Sequence, residues 1–407
     1  MLKQLFVGLL LLFSAQVTRA SSQRWVGTWA SSQQIPEPQN ALPSADLMDA
    51  TLRQTVHVSI GGATIRVHLS NAFGIRSLHL NSVHIARPII SGSSEIDSAS
   101  DRTLLFGSSP DLIIPPGAEY VSDPIAYPLA ALSDLTISMH IEADPGQQTC
   151  HPGSRQTTFY AHGNLTSATS LVSAKKVNHW YILSGVDVQA PPGAYSIVAL
   201  GDSITDGHAA TTDGNDRWTD VLAQRLQGNA ATRAAGVLNQ GIGGNHLLTD
   251  GLGPNALARF DRDVLAQTSV RYLIVLEGIN DLGALARNEN ATQQDHDELV
   301  LRIIDAYQQI VVRARTHGIK VYGATIMPDG GSVYYHPNTA SEHDREQVNA
   351  WIRDPGNFDA VIDFDRVMAD PARPLQLLPA YDSGDHLHPG PPGYEVMGQA
   401  VPFSLFQ

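Results

Sequence analysis

The chain has 407 residues, a formal net charge of −14, 43% hydrophobic and 16% charged residues, 34 Gly and 24 Pro. This balance belongs to a chain that buries a large core and excludes an intrinsically disordered or collagen-like one. The acidic surplus, with no cluster of Lys and Arg to offset it, argues against nucleic acid as a partner. A single cysteine, Cys150, rules out an intramolecular disulfide.

Residues 1–20 read as an export signal. Lys3 supplies the positive start, Leu5 to Phe13 the apolar run, and Thr18-Arg19-Ala20 the small-residue site near which cleavage is expected. The run is far shorter than the roughly 20 residues that span a bilayer, so it reads as removed, with no integral membrane association. A secreted or periplasmic location is the expectation.

Residues 21–189 alternate with period two. Thr55 to Ile60, Gly61-Gly62 and Ala63 to Leu69 together predict a hairpin with a two-residue glycine turn, and Leu135 to Ile141 alternates in the same way. Turn clusters such as Ser91 to Ser94 and Ile114 to Gly117 separate the runs. An antiparallel β-sandwich domain is expected.

Residues 190–193, Ala-Pro-Pro-Gly, read as a linker, after which the period changes. From 194 to 407 short apolar strands alternate with helical spacing. Strands are expected at Ser196 to Leu200, Gly236 to Leu238, Tyr272 to Leu276, Val321 to Ile326 and Ala360 to Asp363. Helices are expected at Asp216 to Leu226, about Glu298 to Thr316, Arg345 to Ile352 and Tyr394 to Val401. Such alternation predicts an α/β domain with a parallel sheet covered on both faces and ligands bound beyond the carboxyl ends of its strands.

Residues able to do chemistry follow those strands. Ser203, in Gly-Asp-Ser-Ile, stands at a strand-to-helix turn. The turn Asn239-Gln240-Gly241-Ile242-Gly243-Gly244-Asn245 brings backbone amides close to a ligand, and Glu277-Gly278-Ile279-Asn280-Asp281 offers an amide side chain. Near the C-terminus Asp385 precedes His388 by three residues. A serine hydroxyl needs a base and the base needs orienting, which Ser203, His388 and Asp385 supply as a catalytic set. An oxyanion needs donors, for which Ser203 N–H, Gly244 N–H and the Asn280 amide are the candidates. No cofactor is called for.

These four blocks resemble the SGNH, or GDSL, superfamily of serine esterases and lipases, with Ser203, Gly244, Asn280 and His388 in the four named positions. Both Gly243 and Gly244 suit the glycine position, and the spacing from Asn239 favours Gly244. The resemblance covers Tyr195 to about Gly398. It implies a flavodoxin-like three-layer hydrolase domain, metal-free hydrolysis through an acyl-enzyme, and Asp385 as the catalytic carboxylate. The first half is similar to the β-domain of an extracellular subset associated with xylan degradation. The matching pieces are Trp25 to Ala30, Leu69 to Gly74, Gly201 to Gly207 and Asp213 to Trp218. An acyl ester, with acetylated polysaccharide foremost, is the substrate this implies, and the polar loop Thr211 to Asp216 is expected to meet it. A lipase or lysophospholipase would use the same residues.

Two other classes compete. His386 and His388 beside Asp385 suggest a zinc hydrolase, although too few ligands accompany them. The β-sandwich suggests a glycan-binding protein. Cys150 reads as an inert buried residue, Trp25 and Trp29 as core or inter-domain aromatics, and Asp202 as a residue ordering the Ser203 turn.

Overall fold

The computed structural model describes residues 24–406, so the expected export signal and its cleavage site lie outside the described residues. The first half forms two large antiparallel sheets and a two-stranded one, Cys150–His151 with Trp180–Tyr181. One large sheet runs Arg24–Ala30, Leu183–Ala190, Gly62–Ser70, Glu119–Val121, with Ile125–Leu129 also on Gly62–Ser70. The other runs Lys175–Val177, Thr158–His162, Ala50–Val58, Ser133–Ile141, Leu78–Ala86, Arg102–Thr103, with Leu112–Ile114 also on Leu78–Ala86. Val56 and Val58 of one sheet and Ile65, Val67 and Leu69 of the other belong to one buried cluster.

The hairpin expected at Thr55 to Leu69 does not form. Ala50–Val58 and Gly62–Ser70 lie in different sheets, and the chain between them arches across the sandwich. A tight type I′ or II′ turn requires positive φ, and neither Gly61 nor Gly62 has it. The polar groups of the arch are satisfied by Thr28 instead. Ser59 N–H donates to Thr28 O at 3.0 Å, and Ile60 N–H donates to Thr28 Oγ1 at 2.9 Å. Alternation identified both strands, and both bury their apolar face, but from opposite sides of the core.

The second half is an α/β domain with a parallel sheet. Its strands in chain order are Tyr195–Gly201, Ala235–Gly241, Val270–Leu276, Lys320–Ala324 and Ala360–Ile362, and in space they stand second, first, third, fourth, fifth. That is the flavodoxin-like order, whose reversal point lies at the end of the first strand. Helix Trp218–Gln227 packs with Pro391–Ala400, and Gln293–Thr316 packs with Thr339–Arg353. Three helices begin earlier than apolar spacing suggested. Thr292 and Asp295 form a capping box for Gln293–Thr316, Asn338 caps Thr339–Arg353, and Pro391 stands at the start of Pro391–Ala400.

The two halves interlock. Gly27 N–H donates to Thr268 O at 3.2 Å, Ser196 Oγ donates to the Gly27 carbonyl, and Val237 N–H donates to Ser59 Oγ at 2.9 Å. The turn at 191–193 joins the last antiparallel strand to the first parallel one.

Candidate active site

The first parallel strand is buried at every position, as its continuous apolar run demands, and it ends at Gly201. Asp202 then adopts extended backbone, and its Oδ1 accepts the Ile204 N–H at 2.8 Å, capping the short helix Ser203–Asp206. Ser203 therefore sits on the turn itself, 7% exposed.

Ser203 Oγ lies 2.8 Å from His388 Nε2, across 185 positions of chain. His388 Nδ1 lies 2.6 Å from Asp385 Oδ2, and Asp385 Oδ1 accepts the N–H groups of Leu387 and His388 at 2.9 and 2.8 Å. Burial by itself would raise the Asp385 carboxyl. The hydrogen bonds from the His388 ring, the His388 N–H and the Leu387 N–H outweigh it and hold the group far below the usual carboxylate range. An ionised Asp385 only accepts, so Nδ1 carries the proton and Nε2 faces Ser203 with its lone pair.

The two histidines of the zinc reading do not converge. His386 turns to Asp382 through Nδ1 and is half exposed, while both ring nitrogens of His388 are engaged. Among the described residues, the group close enough to hold a metal is His208, Asp385 and His388. A metal there would have to displace Ser203 or Asp385 from the imidazole.

The two neighbouring strands end beside the first, with Gly241 and Leu276 in register with Gly201. After the second strand, Gly244 has φ +68°, a left-handed turn that a β-carbon would strain while also meeting Leu252. Among the described residues, the N–H groups of Ser203, Gly243 and Gly244 donate to no protein acceptor. After the third strand, Gly278 at φ +105° turns the chain into helix Ile279–Ala286, whose second residue is Asn280. Asn280 Nδ2 donates to the Asn245 carbonyl at 2.7 Å, and Tyr335 donates its hydroxyl to Asn280 Oδ1. This fixes which end of the amide is the donor, and one Nδ2 hydrogen remains beyond the bond to Asn245.

Several residues at the site were not among the candidates read from the sequence. His208 stacks on His388 with ring centroids 4.0 Å apart. Burial, the neighbouring His388 and Arg155 push its pKa down to about 4, so it stays neutral. His151 reaches across from the β-domain, with Nε2 2.9 Å from Asp206 Oδ1 on the Ser203 helix and Nδ1 2.7 Å from the Ser32 carbonyl. Arg259 lies buried beneath the strand ends. Only His208 had a sequence cue, being five residues beyond Ser203 in the same block.

The loop Thr211 to Asp216 docks on the β-domain through two of its residues. Asp213 accepts from the Thr157 N–H and hydroxyl, both at 2.7 Å, and Asn215 bonds Gln156 and Asp134. Thr211 and Thr212 stay exposed. Cys150 is fully buried, and burial pushes its thiol well above the usual range, as an inert core residue requires. Trp29 is buried edge-on to Trp180, and Trp25 lies under the Arg66 guanidinium.

Asp202 gives a pH-dependent expectation. Burial pushes its carboxyl up to about 7, whereas in the unfolded chain it ionises near pH ~4. Between those values the folded state holds a proton the unfolded state has lost, so this group's contribution to stability falls as pH rises from about 4 to about 7. Asp202→Asn keeps the Oδ1 cap and removes the charge. Thermal melts should show the variant above the parent at pH 8, with the gap closing towards pH 4. A parent that melts higher at pH 8 would contradict the assignment.

Residues 199–396 match the GDSL-like lipase/acylhydrolase family. No curated protein matches the chain. Among solved structures, it is similar to a putative lipolytic protein of the G-D-S-L family from Desulfitobacterium hafniense, at 23% identity, TM-score 0.38, over 50% of this chain and 96% of that one. A putative acylhydrolase from Bacteroides fragilis is 22% identical, TM-score 0.38, over 51% and 85%. An acetyl xylan esterase from Geobacillus stearothermophilus is 18% identical, TM-score 0.37, over 51% and 93%.

Proposed function

We propose, on the premise that residues 199–396 belong to the GDSL-like lipase/acylhydrolase family and make this chain a carboxylic ester hydrolase, that hydrolysis runs through a covalent acyl-enzyme on Ser203. The observation that carries the reading is the chain of contacts from Ser203 Oγ to His388 Nε2 at 2.8 Å and from His388 Nδ1 to Asp385 at 2.6 Å. Ser203 Oγ attacks the ester carbonyl as its proton passes to His388 Nε2, and Asp385 stabilises the imidazolium. The oxyanion takes hydrogen bonds from Ser203 N–H, Gly244 N–H and Asn280 Nδ2, each donor being worth about 100- to 1000-fold in rate. Collapse expels the alcohol with the proton from Nε2. A water molecule then repeats the sequence on the acyl-enzyme and releases the acid.

The substrate is an ester of a short acyl group, acetyl foremost, on a carbohydrate, and the enzyme acts after export, as the N-terminal segment suggests. The lipase or lysophospholipase reading has its own support in the exposed apolar side chains at the rim. Leu252, against Gly244, is 52% exposed, and Tyr334, edge-on to His388, is 47% exposed. A serine-directed phosphonate and an acyl-length series test both points. One adduct on the peptide carrying Ser203 is expected, with nitrophenyl acetate exceeding nitrophenyl octanoate at least tenfold in kcat/KM. An adduct elsewhere ends the Ser203 reading, and the reverse chain preference replaces the short-acyl substrate with a lipid.

A further inference from the structure

A cleft of about 340 Å³ opens between the two halves of the molecule beside His208, whose other neighbour is the imidazole of His388. Its size lies in the roughly 300–1,000 Å³ range of small-molecule sites. From the hydrolase domain its walls include His208 and Gly243, and from the β-domain Glu37, Asn40, Arg155 and His179. His208 is the shared wall with the catalytic set, because its ring lies on that of His388. A short acyl chain would leave this polar lining unpaired, so the cleft suits the alcohol half of the ester.

The polar atoms of the cleft are partly spent and partly free. Arg155 Nε donates to the Gly207 carbonyl at 3.0 Å and Nη2 approaches His208 Nδ1 at 3.5 Å, while Nη1 has no partner among the described residues. His179 donates Nδ1–H to the Pro152 carbonyl at 2.7 Å, which leaves Nε2 as an acceptor. Burial pushes the His179 pKa down, so that acceptor persists at neutral pH. Glu37 takes one amide hydrogen each from Gln34 and Asn40 and retains acceptor capacity, and Asn40 Oδ1 is without a partner among the described residues.

We propose that this cleft is a subsite for a neutral polyol, the sugar that carries the ester, and that the β-domain supplies most of its recognition. The inference rests on the Ser203 acyl-enzyme reading and deepens it. A hydroxyl both donates and accepts, so neighbouring hydroxyls on a sugar ring match one free guanidinium nitrogen set among three acceptors. An alkyl alcohol would strip water from Arg155, His179, Glu37 and Asn40 and return no hydrogen bond, at a cost for each group. The Glu37 and Asp206 carboxylates outnumber the Arg155 guanidinium on these walls, so nothing here favours an anionic headgroup over a neutral one. The interlocking of the halves then has a functional purpose. The contacts of His151 with Asp206 and of Asp213 with Thr157 hold the β-domain wall at a set distance from the catalytic imidazole.

The test compares two acetates that differ only in their alcohol: mono-acetylated xylotriose and hexyl acetate. Wild type should favour the sugar ester in kcat/KM. Asn40→Ala and His179→Phe should each lower the ratio of sugar ester to hexyl ester about tenfold, mainly through KM for the sugar, as the loss of a polar contact predicts. In wild type, unesterified xylotriose should inhibit hexyl acetate hydrolysis competitively, glycerol phosphate should not, and both variants should weaken the xylotriose inhibition. A ratio that stays within twofold of wild type in both variants overturns the proposal. So does equal loss on both esters, or inhibition by glycerol phosphate alone. Every arm keeps Ser203 intact, so failure of the subsite shows as an unchanged ratio in an active esterase, whereas failure of the acyl-enzyme reading shows in Ser203→Ala.

Discussion

Ser203→Ala and His388→Ala are each expected to lower kcat on nitrophenyl acetate by at least about 10⁴-fold, and the double variant should be little worse than either. The reason is that Oγ and Nε2, 2.8 Å apart, act as one unit. An unactivated hydroxyl is a poor nucleophile, and an imidazole with no hydroxyl to deprotonate has nothing to do. Asp385→Asn should cost about 10⁴-fold as well, because an amide in place of the carboxylate permits the wrong imidazole tautomer. Asn280→Ala leaves all three residues in place and should cost only about 100- to 1000-fold, the worth of one oxyanion donor. That ordering separates the residues that break the bond from those that stabilise its charge. Steady-state kinetics with circular dichroism to confirm folding would measure it. A Ser203→Ala enzyme within tenfold of wild type, or a double variant whose loss is the product of the single losses, would end the assignment.

The largest effect on stability is expected from Arg259→Met. Arg259 donates Nε to Asn245 Oδ1 at 2.9 Å, Nη1 to the Gln240 carbonyl at 2.6 Å and to Asp263 at 3.0 Å, and Nη2 to the Gly201 carbonyl at 2.9 Å and to Glu277 at 3.2 Å. It thus binds the ends of two parallel strands and the residue whose carbonyl receives Asn280. Its two carboxylate neighbours are shifted in opposite directions. Burial would raise the Asp263 pKa, but Arg262 and Arg259 together hold it below the usual range. Burial, with Asp202 nearby, pushes the Glu277 carboxyl well above the usual range against the opposing pull of the Arg259 guanidinium.

Methionine fills similar space but leaves Asp263 buried with only Arg262 and the Ser32 hydroxyl, and takes a donor from each of two strand carbonyls, of which Gly201 keeps the Ile242 N–H. Breaking a buried pair on one side costs about 3–5 kcal/mol. With about 2–4 °C of Tm per kcal/mol in a domain of this size, a fall of roughly 6–20 °C is expected. Arg259→Lys keeps the charge without the planar fork and should recover only part of the loss. Calorimetry that finds Arg259→Met within 2 °C of the parent would show that the surrounding groups re-pair without it.

Much of this molecule was legible from local pattern. Continuous apolar runs at Ser196 to Leu200 and Tyr272 to Leu276 are what a strand covered on both faces needs, and both are central strands. Ser203, Gly244, Asn280 and His388 were recognisable because each follows a strand or lies in the final loop, and strand ends gather at one rim. The Thr55 to Leu69 hairpin was misread for a physical reason. Alternation reports that one face of a strand is buried, but two strands facing one core from opposite sheets alternate just as two neighbours do. Only the backbone at Gly61-Gly62 and its pairing with Thr28 distinguish an arch from a hairpin.

The order of residues by itself determined the element types, the two architectures and the short list of reacting groups, since periodicity and turn chemistry act over a few positions. The tertiary structure alone decided which other groups meet: His208 against the imidazole, Arg259 under the strand ends, and β-domain residues across a cleft from His208. Each of those meetings depends on how sheets pair and halves dock, and residues far apart in sequence leave no local mark of the surface they will share.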